Sequence, residues 1–464
     1  MVSTTLAAEA AQFNFTRDLG EFVAGLDFAR LSEAVRIQAV MTVLDTLGCS
    51  LAGAGVEDAA RLLAAESARG GAGEAQVVGS AQRLPAEAAT RVNAYQGDIF
   101  ELNDLTGGHA GIAAVPTALA LGEALGASGQ AVLEAVVAAV EVTSRIYAAY
   151  YSDIKPFTET GMAPPGIPST FGAAAAAARL LGLDGEGIGR AIAIAGALAS
   201  WCPAEVIFGD GGTIKPMLFG AMPGSVGIMA ARYAAEGLSG PPRILDSAVG
   251  FYATVARAFD PAALADDTTW HLAAPRRKLH ACCGYIHSAL DTVIQLRNEG
   301  VDVAGAREIR VGMPQYILPV ISKPRAPTTP NEARFHAEYM LSLGAHGVDA
   351  VLPEHSIGLA EWLTRPCVAD LMGRVAIAAD PGLAHYHHSL VEVVLADGSV
   401  VARKNLAPLG SPANPLDDAA VAAKFMRLAE PVVGSMRASA LKEAIMALPE
   451  ASDLKAVVAL MGGR

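Results

Sequence analysis

Two carboxylates, a hydroxyl and an imidazole lie within nine residues of one another at Glu101, Asp104, Thr106 and His109. Two glycines precede the histidine, so the chain can turn tightly there and expose the ring. A histidine moves protons near neutral pH, and a neighbouring carboxylate can orient it. The segment therefore predicts an acid–base site. A polar loop in which Asp104 or Thr106 caps the following helix is the alternative interpretation.

Lys215 stands between a glycine-rich loop, residues 209–214, and Pro216, which opens a helix-forming stretch. Pro is favoured at the first helical position, and a helix N-terminus exposes unpaired N–H groups with a partial positive charge. A lysine there adds a full charge and a proton to donate, which suits a substrate carboxylate or a carbanion forming beside one. A surface lysine at a helix start is the alternative. The chain lacks G-x-x-x-x-G-K-[ST], so a nucleotide phosphate loop is not expected.

A basic run is followed at once by histidines and cysteines: Arg276, Arg277, Lys278, His280, Cys282, Cys283 and His287. In an acidic chain, three consecutive cations make a local positive field that suits a substrate with several carboxylates. Cys283 and His287 are four residues apart and would share a helix face. A metal site, a Cys–His nucleophile pair and a solvated basic run are the alternatives, and the spacing differs from that of usual zinc sites.

Tyrosines and a histidine cluster are weaker candidates: Tyr147, Tyr150, Tyr151, Tyr316 and His385 to His388. Alternation along a strand would place His385 and His387 on one face. We interpret the histidines as a surface or interface cluster. The tyrosines are interpreted as packing residues, with Tyr316 kept as a reserve substrate contact together with His280.

The composition excludes several classes of protein. The 464 residues carry a net charge of −13 and a pI near 5.3, which opposes general binding to nucleic acid or to anionic membranes. Mean hydropathy is +0.35, but the long uncharged stretches 105–122 and 160–177 are interrupted by His109 and by prolines. The N-terminus does not resemble a signal peptide, and five scattered cysteines do not form a disulfide framework. We expect a cytoplasmic protein with reduced cysteines.

The pattern along the chain predicts a mainly α fold with a smaller α+β domain. Helices are predicted over 112–125, 130–150, 172–181, 186–201, 216–236, 417–429 and 439–447. Strands are predicted over 308–312 and 375–379, with a hairpin over 390–404 around Asp397 and Gly398. We expect a helical domain over 1–270, an α+β lid domain over 271–404, and helices over 405–464 that return to the first domain. A cleft between two such domains is a common site for a small ligand.

Segments in the same order resemble the MmgE/PrpD family, which includes 2-methylcitrate dehydratase, cis-aconitate decarboxylase and iminodisuccinate epimerase. They are ELNDLTGGHAGIAAVPTALALGEALG, STFGAAAAAARLLGL, TIKPMLFGAMPGSVGIMAARYAAEGLSGPPRILDSAVGFY, KLHACCGYIHSALD, PNEARFHAEYMLSLGAHG and SPANPLDDAAVAAKF. The resemblance implies a large helical domain with an α+β lid, a homodimer, no metal or organic cofactor, and a polycarboxylate-like substrate in the interdomain cleft.

The resemblance also implies roles for individual residues. The family's acidic–Asp–His segment falls on Glu101, Asp104 and His109, its site lysine on Lys215, and a second lysine on Lys278. The chain departs from the decarboxylase and dehydratase patterns in carrying Glu101 for Asp, Leu105 for Thr, Ala163-Pro164 for His-Pro, and Cys283 where the decarboxylase has a nearby histidine. The Gly-Gly-His spelling is closer to the epimerase-like branch.

The shared chemistry implied is removal of a proton from a carbon next to a carboxylate, stabilised by nearby positive charge. We expect His109 to act as acid or base, with Asp104 or Glu101 orienting it. Lys215 would stabilise the developing charge or act as the opposite acid. Lys278, with Arg276 or Arg277, would hold a remote carboxylate. A hydro-lyase is the favoured outcome. An epimerase or isomerase, a decarboxylase and a non-catalytic binding protein are the alternatives.

Overall fold

The computed structural model describes residues 14–71, 73–208 and 212–463. Within these ranges the chain is mainly helical, and one four-stranded sheet lies in its C-terminal part. This architecture confirms the fold class predicted from the sequence. Part of the glycine-rich loop before Lys215, residues 209–211, lies outside the described residues.

The α-helices of the described residues, numbered in chain order, are α1 Phe15–Ala24, α2 Glu33–Ala54, α3 Glu57–Ala68, α4 Ala86–Asp98, α5 Ala110–Leu125, α6 Gly129–Tyr151, α7 Phe157–Thr160, α8 Pro168–Leu180, α9 Gly185–Leu198, α10 Glu205–Phe208, α11 Met222–Ala235, α12 Phe251–Val255, α13 Pro261–Ala265, α14 His287–Asn298, α15 Leu318–Ile321, α16 Pro330–Arg334, α17 Ala337–Ala345, α18 Pro353–Ile357, α19 Leu359–Leu363, α20 Pro366–Met372, α21 Asp418–Val433, α22 Ser435–Met446 and α23 Lys455–Met461. The strands are β1 Ala75–Gln76, β2 Arg83–Leu84, β3 Glu308–Met313, β4 Val375–Ala379, β5 Ser389–Val394 and β6 Val400–Asn405.

Small residues allow the central helices of the N-terminal part to pack at close range. A Cβ added at Gly172 in α8 would lie 2.1 Å from the Thr143 hydroxyl and 2.3 Å from the Ala139 carbonyl, both in α6. A Cβ added at Gly227 in α11 would lie 2.6 Å from the Cβ of Ala173. These glycines are therefore required by the close approach of α8 to both neighbours, which fixes the helices around the pocket.

The helical segment that begins at Lys215 contains a wider π-helical turn, Met217–Ala221, before α11 continues it. We predicted one helix over 216–236 with a kink at Pro223. Pro223 lies in the first turn of α11, directly after the π-helical turn. A proline removes one backbone N–H and crowds the preceding turn, so a widened turn at this point accommodates the ring. Such turns often occur at functional sites.

The four-stranded sheet has the order β4-β3-β5-β6. β3 pairs parallel with β4 and antiparallel with β5, and β5 pairs antiparallel with β6. The predicted hairpin is confirmed: Gly398 adopts φ +88° in the turn, a conformation that glycine adopts without strain. His385 to His388 lie in a turn before β5, so the predicted strand alternation of these histidines is wrong.

Helix α2 is the one helix of the described ranges that is long and apolar enough to cross a membrane, but 78% of its apolar window is buried inside the protein. It packs against α21, and the side chain of Phe425 lies beside Gly48. Its buried Asp45 pairs with Lys424 of α21 at 2.7 Å. These contacts are those of a helix buried in the core. Helix α21 of the C-terminal part thus packs on the helical part of the fold.

Candidate active site

A pocket lies between the helical part of the chain and the C-terminal part. The helical part contributes Glu101, His109 and Lys215, and the C-terminal part contributes Cys283 and Phe335. The pocket and its mouth enclose about 570 Å³ of empty space. The structure therefore brings the predicted imidazole and ammonium groups, far apart in sequence, to one interdomain pocket.

His109 is presented to this pocket by a left-handed turn. Gly107, Gly108 and His109 adopt φ values of 55°, 74° and 87°, and His109 then becomes the N-cap of α5. A Cβ at Gly107 would lie 2.6 Å from the Ser144 hydroxyl, so the glycine is required by space as well as by φ. A left-handed conformation at a residue other than glycine is uncommon and is often found at functional sites.

A hydrogen bond from Nδ1 of the His109 ring fixes its tautomer. Asn103 donates its amide N–H to the Asp98 carboxylate at 2.5 Å, so the amide oxygen is the group that faces the ring. That oxygen lies 2.6 Å from His109 Nδ1. Nδ1 therefore carries the hydrogen, and Nε2 has a free lone pair. Nε2 has no hydrogen-bond partner within the described part of the chain.

Burial lowers the pKa of His109 from 6.5 to about 3, and the nearby Lys278 ammonium acts in the same direction. The ring is therefore a neutral base at physiological pH. We expected Asp104 or Glu101 to orient this ring, and that expectation is wrong. Asn103 makes the contact, and Asp98 supports Asn103 from behind.

Lys215 lies in a buried cluster of charged side chains. Its ammonium is 3.0 Å from Asp98 Oδ2 and also bonds Glu101 Oε1. Burial lowers the pKa of Lys215 from 10.5 to about 8, although Asp98 acts in the opposite direction. The ammonium also lies 4.5 Å from the centre of the Phe219 ring. A lysine with this pKa is a proton donor that can release its proton near working pH.

Glu101 connects Lys215 to Lys278. The Lys278 ammonium is 2.8 Å from Glu101 Oε2 and 2.7 Å from the Glu101 carbonyl oxygen. Glu101 itself adopts φ +54°. Asp98, Glu101, Lys215 and Lys278 thus form a buried set in which two lysines face two carboxylates. We had expected Lys278 to hold a remote substrate carboxylate. Lys278 is fully buried behind Glu101 and does not offer a free cation, so that expectation is wrong.

The other two cations of the basic run point to different parts of the protein. Arg276 bonds His387 Nδ1 at 3.0 Å. Arg277 is buried and donates to Gln38 Oε1 at 2.6 Å and to the Thr42 hydroxyl at 3.1 Å. The run therefore does not form one shared positive field.

Asp104, Thr106 and His280 have structural partners. Asp104 accepts the backbone N–H of Gly111 at 3.0 Å in the first turn of α5, as the capping alternative predicted. The Thr106 hydroxyl accepts the backbone N–H of Arg276 at 3.0 Å. His280 bonds Asp291 at 3.0 Å through Nε2 and accepts the backbone N–H of Val351 through Nδ1. Both ring nitrogens of His280 are therefore occupied.

Cys283 and Tyr316 line two different cavities. Cys283 lines the pocket, but burial raises the pKa of its thiol against the opposing effect of Lys278. The thiol therefore stays protonated, and His287 bonds the Cys282 carbonyl oxygen rather than Cys283. These contacts do not support a Cys–His nucleophile pair. Tyr316 lines a second, adjoining cavity.

Sequence reasoning missed several residues of the site. Asp98 ends α4, and Asn103 lay inside the quoted segment without an assigned role. Four tyrosines line the pocket: Tyr147, Tyr151, Tyr285 and Tyr386. Tyr147 and Tyr151, one helical turn apart at the end of α6, had been interpreted as packing residues, and Tyr386 lay within the histidine cluster that had been interpreted as a surface or interface feature.

Two family models match the chain in succession, the MmgE/PrpD N-terminal domain over residues 17–263 and the MmgE/PrpD C-terminal domain over residues 280–450. The chain belongs to the MmgE/PrpD family. Among similar curated proteins, a cis-aconitate decarboxylase of Aspergillus terreus is 22% identical over 97% of this chain and 96% of its own length. A cis-aconitate decarboxylase-like protein of Aspergillus oryzae is 23% identical over 99% of both chains.

Two of the departures from the MmgE/PrpD patterns fall on the pocket wall. Ala163 and Cys283 both line the pocket. They stand where the resemblance led us to expect a His-Pro pair and a nearby histidine. Membership of the family supports an enzyme that processes organic acids, and these two positions change the groups that line the pocket.

Proposed function

We propose that this MmgE/PrpD protein is a cofactor-independent lyase that removes a proton next to a carboxylate of a small organic acid. The observation that carries the proposal is the pairing of a neutral, oriented imidazole with a buried ammonium in one pocket. Because Asn103 accepts the Nδ1 hydrogen, the lone pair of Nε2 is available as a base. Because Lys215 lines the same pocket, its positive charge is close to where negative charge would develop.

The mechanism follows from these two groups. His109 Nε2 takes the proton from the carbon next to the carboxylate, and the Lys215 ammonium stabilises the resulting carbanion-like state. In a hydro-lyase, the neighbouring C–O bond then breaks and Lys215 gives its proton to the departing hydroxyl group, which leaves as water. A C=C bond forms, so atoms and charges balance. Asp98 and Glu101 hold the ammonium in place, and Asn103 holds the imidazole.

We favour the hydro-lyase because its first step requires an unprotonated group to accept the proton, and the lowered pKa of His109 keeps the ring neutral at physiological pH. Epimerisation begins with the same step and ends with reprotonation on the other face. Decarboxylation begins with loss of carbon dioxide and then needs a proton donor, a role that Lys215 could fill. A non-catalytic binding protein would bind the acid without exchanging its proton.

Product NMR in D₂O separates these outcomes. Purified protein is incubated with a panel of β-hydroxy acids and their unsaturated counterparts, and solvent deuterium in substrate and product is followed. Water loss identifies a hydro-lyase, exchange without a change of composition identifies an epimerase, and loss of carbon dioxide identifies a decarboxylase. Binding without exchange or product contradicts the proposal.

The proposal also covers the compartment, the oligomeric state, the substrate class and the cofactor. The acidic composition and five free cysteines favour the cytoplasm, and the family resemblance favours a homodimer. The resemblance also predicted a di- or tricarboxylic substrate and no organic cofactor.

A further inference from the structure

A third cavity lies where the helical part of the chain meets the C-terminal part. It encloses about 1130 Å³ of empty space including its mouth. Tyr95 and Phe100 line it from the helical part, and Thr329 and Arg334 line it from the C-terminal part. The described residues that line this cavity differ from all those that line the active-site pocket, so the two are separate spaces.

Three short segments separate this third cavity from the active-site pocket. In each segment one residue lines the cavity and the next or preceding residue lines the pocket: Phe100 and Glu101, Pro216 and Lys215, and Arg334 and Phe335. The Arg334 carbonyl oxygen also accepts the backbone N–H of Cys283 at 2.9 Å, and Cys283 lines the pocket. The third cavity is therefore the opposite face of a wall of the active site.

Arg334 is a buried cation without a counter-ion. Only 6% of the residue is exposed. Its Nε donates to the Ser356 hydroxyl at 3.2 Å, and its guanidinium carbon lies 5.1 Å from the centre of the Phe100 ring. Within the described part of the chain, Nη1 and Nη2 have no hydrogen-bond partner, and no carboxylate lies within ion-pair distance. The part of the guanidinium that can bind an oxyanion is therefore left for a ligand in the cavity.

Burial of this charge is unfavourable without a ligand. It lowers the pKa of Arg334 from 12.5 to about 10, although Asp98 acts in the opposite direction. Arg334 is therefore still charged at physiological pH. A buried charge without a partner is costly, and the nearby Phe100 ring offsets only part of that cost.

The donors at this point suit a small oxyanion. The planar fork of N–H groups in arginine matches the oxygens of a carboxylate or a phosphate. The Thr329 hydroxyl accepts the backbone N–H of Glu332 at 3.1 Å. Its hydrogen has no acceptor among the described residues, so Thr329 can supply a second donor at the cavity wall.

Two acidic residues of the same cavity limit the size and charge of the ligand. Glu57 and Asp58 line the cavity, and both pair with Arg61. The Glu57 side chain is 76% exposed, which places it at the mouth. Carboxylates at the mouth repel a ligand with many negative charges and leave room for a small anion bound directly at Arg334.

We propose that the third cavity is a binding site for a small oxyanion, a carboxylate or a phosphate, held by the Arg334 guanidinium with the Thr329 hydroxyl as a second donor. The site is distinct from the active-site pocket, and the inference does not depend on the proposed function. Because the cavity lies between the helical and C-terminal parts, a bound anion stabilises the folded arrangement of the two.

Calorimetry with inorganic phosphate and with acetate tests the proposal, in a buffer that contains no other oxyanion. We expect saturable binding of at least one of them to the wild type. Arg334→Met should bind that anion at least about 10-fold more weakly, because charge-assisted hydrogen bonds are lost. Binding of neither anion to the wild type overturns the proposal.

Two control variants locate the bound anion. Lys215→Ala removes the cation of the active-site pocket, and Arg17→Met removes an exposed arginine outside the cavity. Both should bind the anion within about 2-fold of the wild type, because each change lies outside the site. A loss of binding in Lys215→Ala with none in Arg334→Met places the anion in the active-site pocket and contradicts the proposal.

A crystal of the wild-type protein gives a test that does not depend on the folding of any variant. The crystal is soaked in whichever of the two anions binds more tightly, and its density is compared with that of an unsoaked crystal. We expect new density within about 3 Å of the Nη nitrogens of Arg334. New density only at other places, or none, rules out the site.

Discussion

Replacing Asn103 with leucine removes the group that fixes the His109 tautomer. Leucine has nearly the same shape, but it cannot accept the Nδ1 hydrogen, which Asn103 now accepts at 2.6 Å. Asn103 is fully buried and does not line the pocket. The substitution should therefore change the chemistry of the ring more than the binding of substrate.

The size of the effect follows from the lost hydrogen bond. Leaving a buried donor without a partner costs about 1–3 kcal/mol. At about 1.4 kcal/mol for each factor of ten, the equilibrium between tautomers moves about 5- to 150-fold away from the form with a free Nε2. We expect kcat to fall by up to the same factor, because it follows the populated fraction of the tautomer with a free Nε2, with KM changed by less than about 2-fold.

Nitrogen-15 NMR of labelled histidine reads the tautomer without any substrate. The chain has 10 histidines, and the His109→Ala spectrum assigns the signals of interest by their loss. In the wild type we expect a protonated Nδ1, a bare Nε2 and no titration between about pH 5 and pH 8. In Asn103→Leu the Nε2–H form should become populated, whereas Asn298→Leu, at an exposed asparagine, should leave the signals unchanged.

A double-mutant cycle supplies the decisive kinetic control. If Asn103 acts through the imidazole, Asn103→Leu should have little further effect in the His109→Ala background. Independent, multiplying losses would refute this reasoning. So would an unchanged tautomer in Asn103→Leu.

Three further predictions concern pH and stability. First, kcat/KM for the acid found by the D₂O screen should fall as pH rises above about 8, where Lys215 loses its proton. It should not fall on the acid side near pH 6.5, because the pKa of His109 is about 3. A pH–rate profile with an acid limb near 6.5 contradicts this. Second, burial raises the pKa of Asp104 from 3.8 to about 6, so the folded state binds this proton more tightly and the free energy of unfolding falls as pH rises through that range. Asp104→Asn should remove about 3 kcal/mol of this fall, measured by urea unfolding at several pH values. An unaltered pH dependence of unfolding in the variant argues against it. Third, Lys424→Met should lower the free energy of unfolding by about 3–5 kcal/mol, because buried Asp45 loses its 2.7 Å partner. The double variant with Asp45→Leu should recover much of this loss. A Lys424→Met variant as stable as the wild type contradicts the pairing.

Signals within a few residues of one another correctly predicted several helix ends and the hairpin turn. The helix predicted over 112–125 is α5, and Gly126 ends it with φ +65° as a left-handed cap. Thr329 caps α16 by accepting the backbone N–H of Glu332, and Asp397-Gly398 marks the β5–β6 turn. Each of these depends on residues within a few positions of one another, which a single sequence displays directly.

The site was only partly predictable, because its partners come from distant segments. His109, Lys215, Glu101 and Cys283 reach the pocket, but the contacts that define their chemistry could not be derived from spacing. The run Arg276, Arg277 and Lys278 shows the reason. The segment belongs to no helix or strand, and its successive side chains point in different directions. One reaches His387, the next Gln38, and the third Glu101.

Deuterium incorporation from D₂O into the acid at the carbon next to its carboxylate tests the His109–Lys215 pairing most directly. The wild type should exchange this hydrogen, and His109→Ala and Lys215→Ala should each reduce the rate by at least about 100-fold while circular dichroism shows an intact fold. His388→Ala and Lys455→Ala, which lie outside the pocket, should exchange at the wild-type rate. Near-normal exchange in folded His109→Ala and Lys215→Ala would show that the proton is removed by other groups.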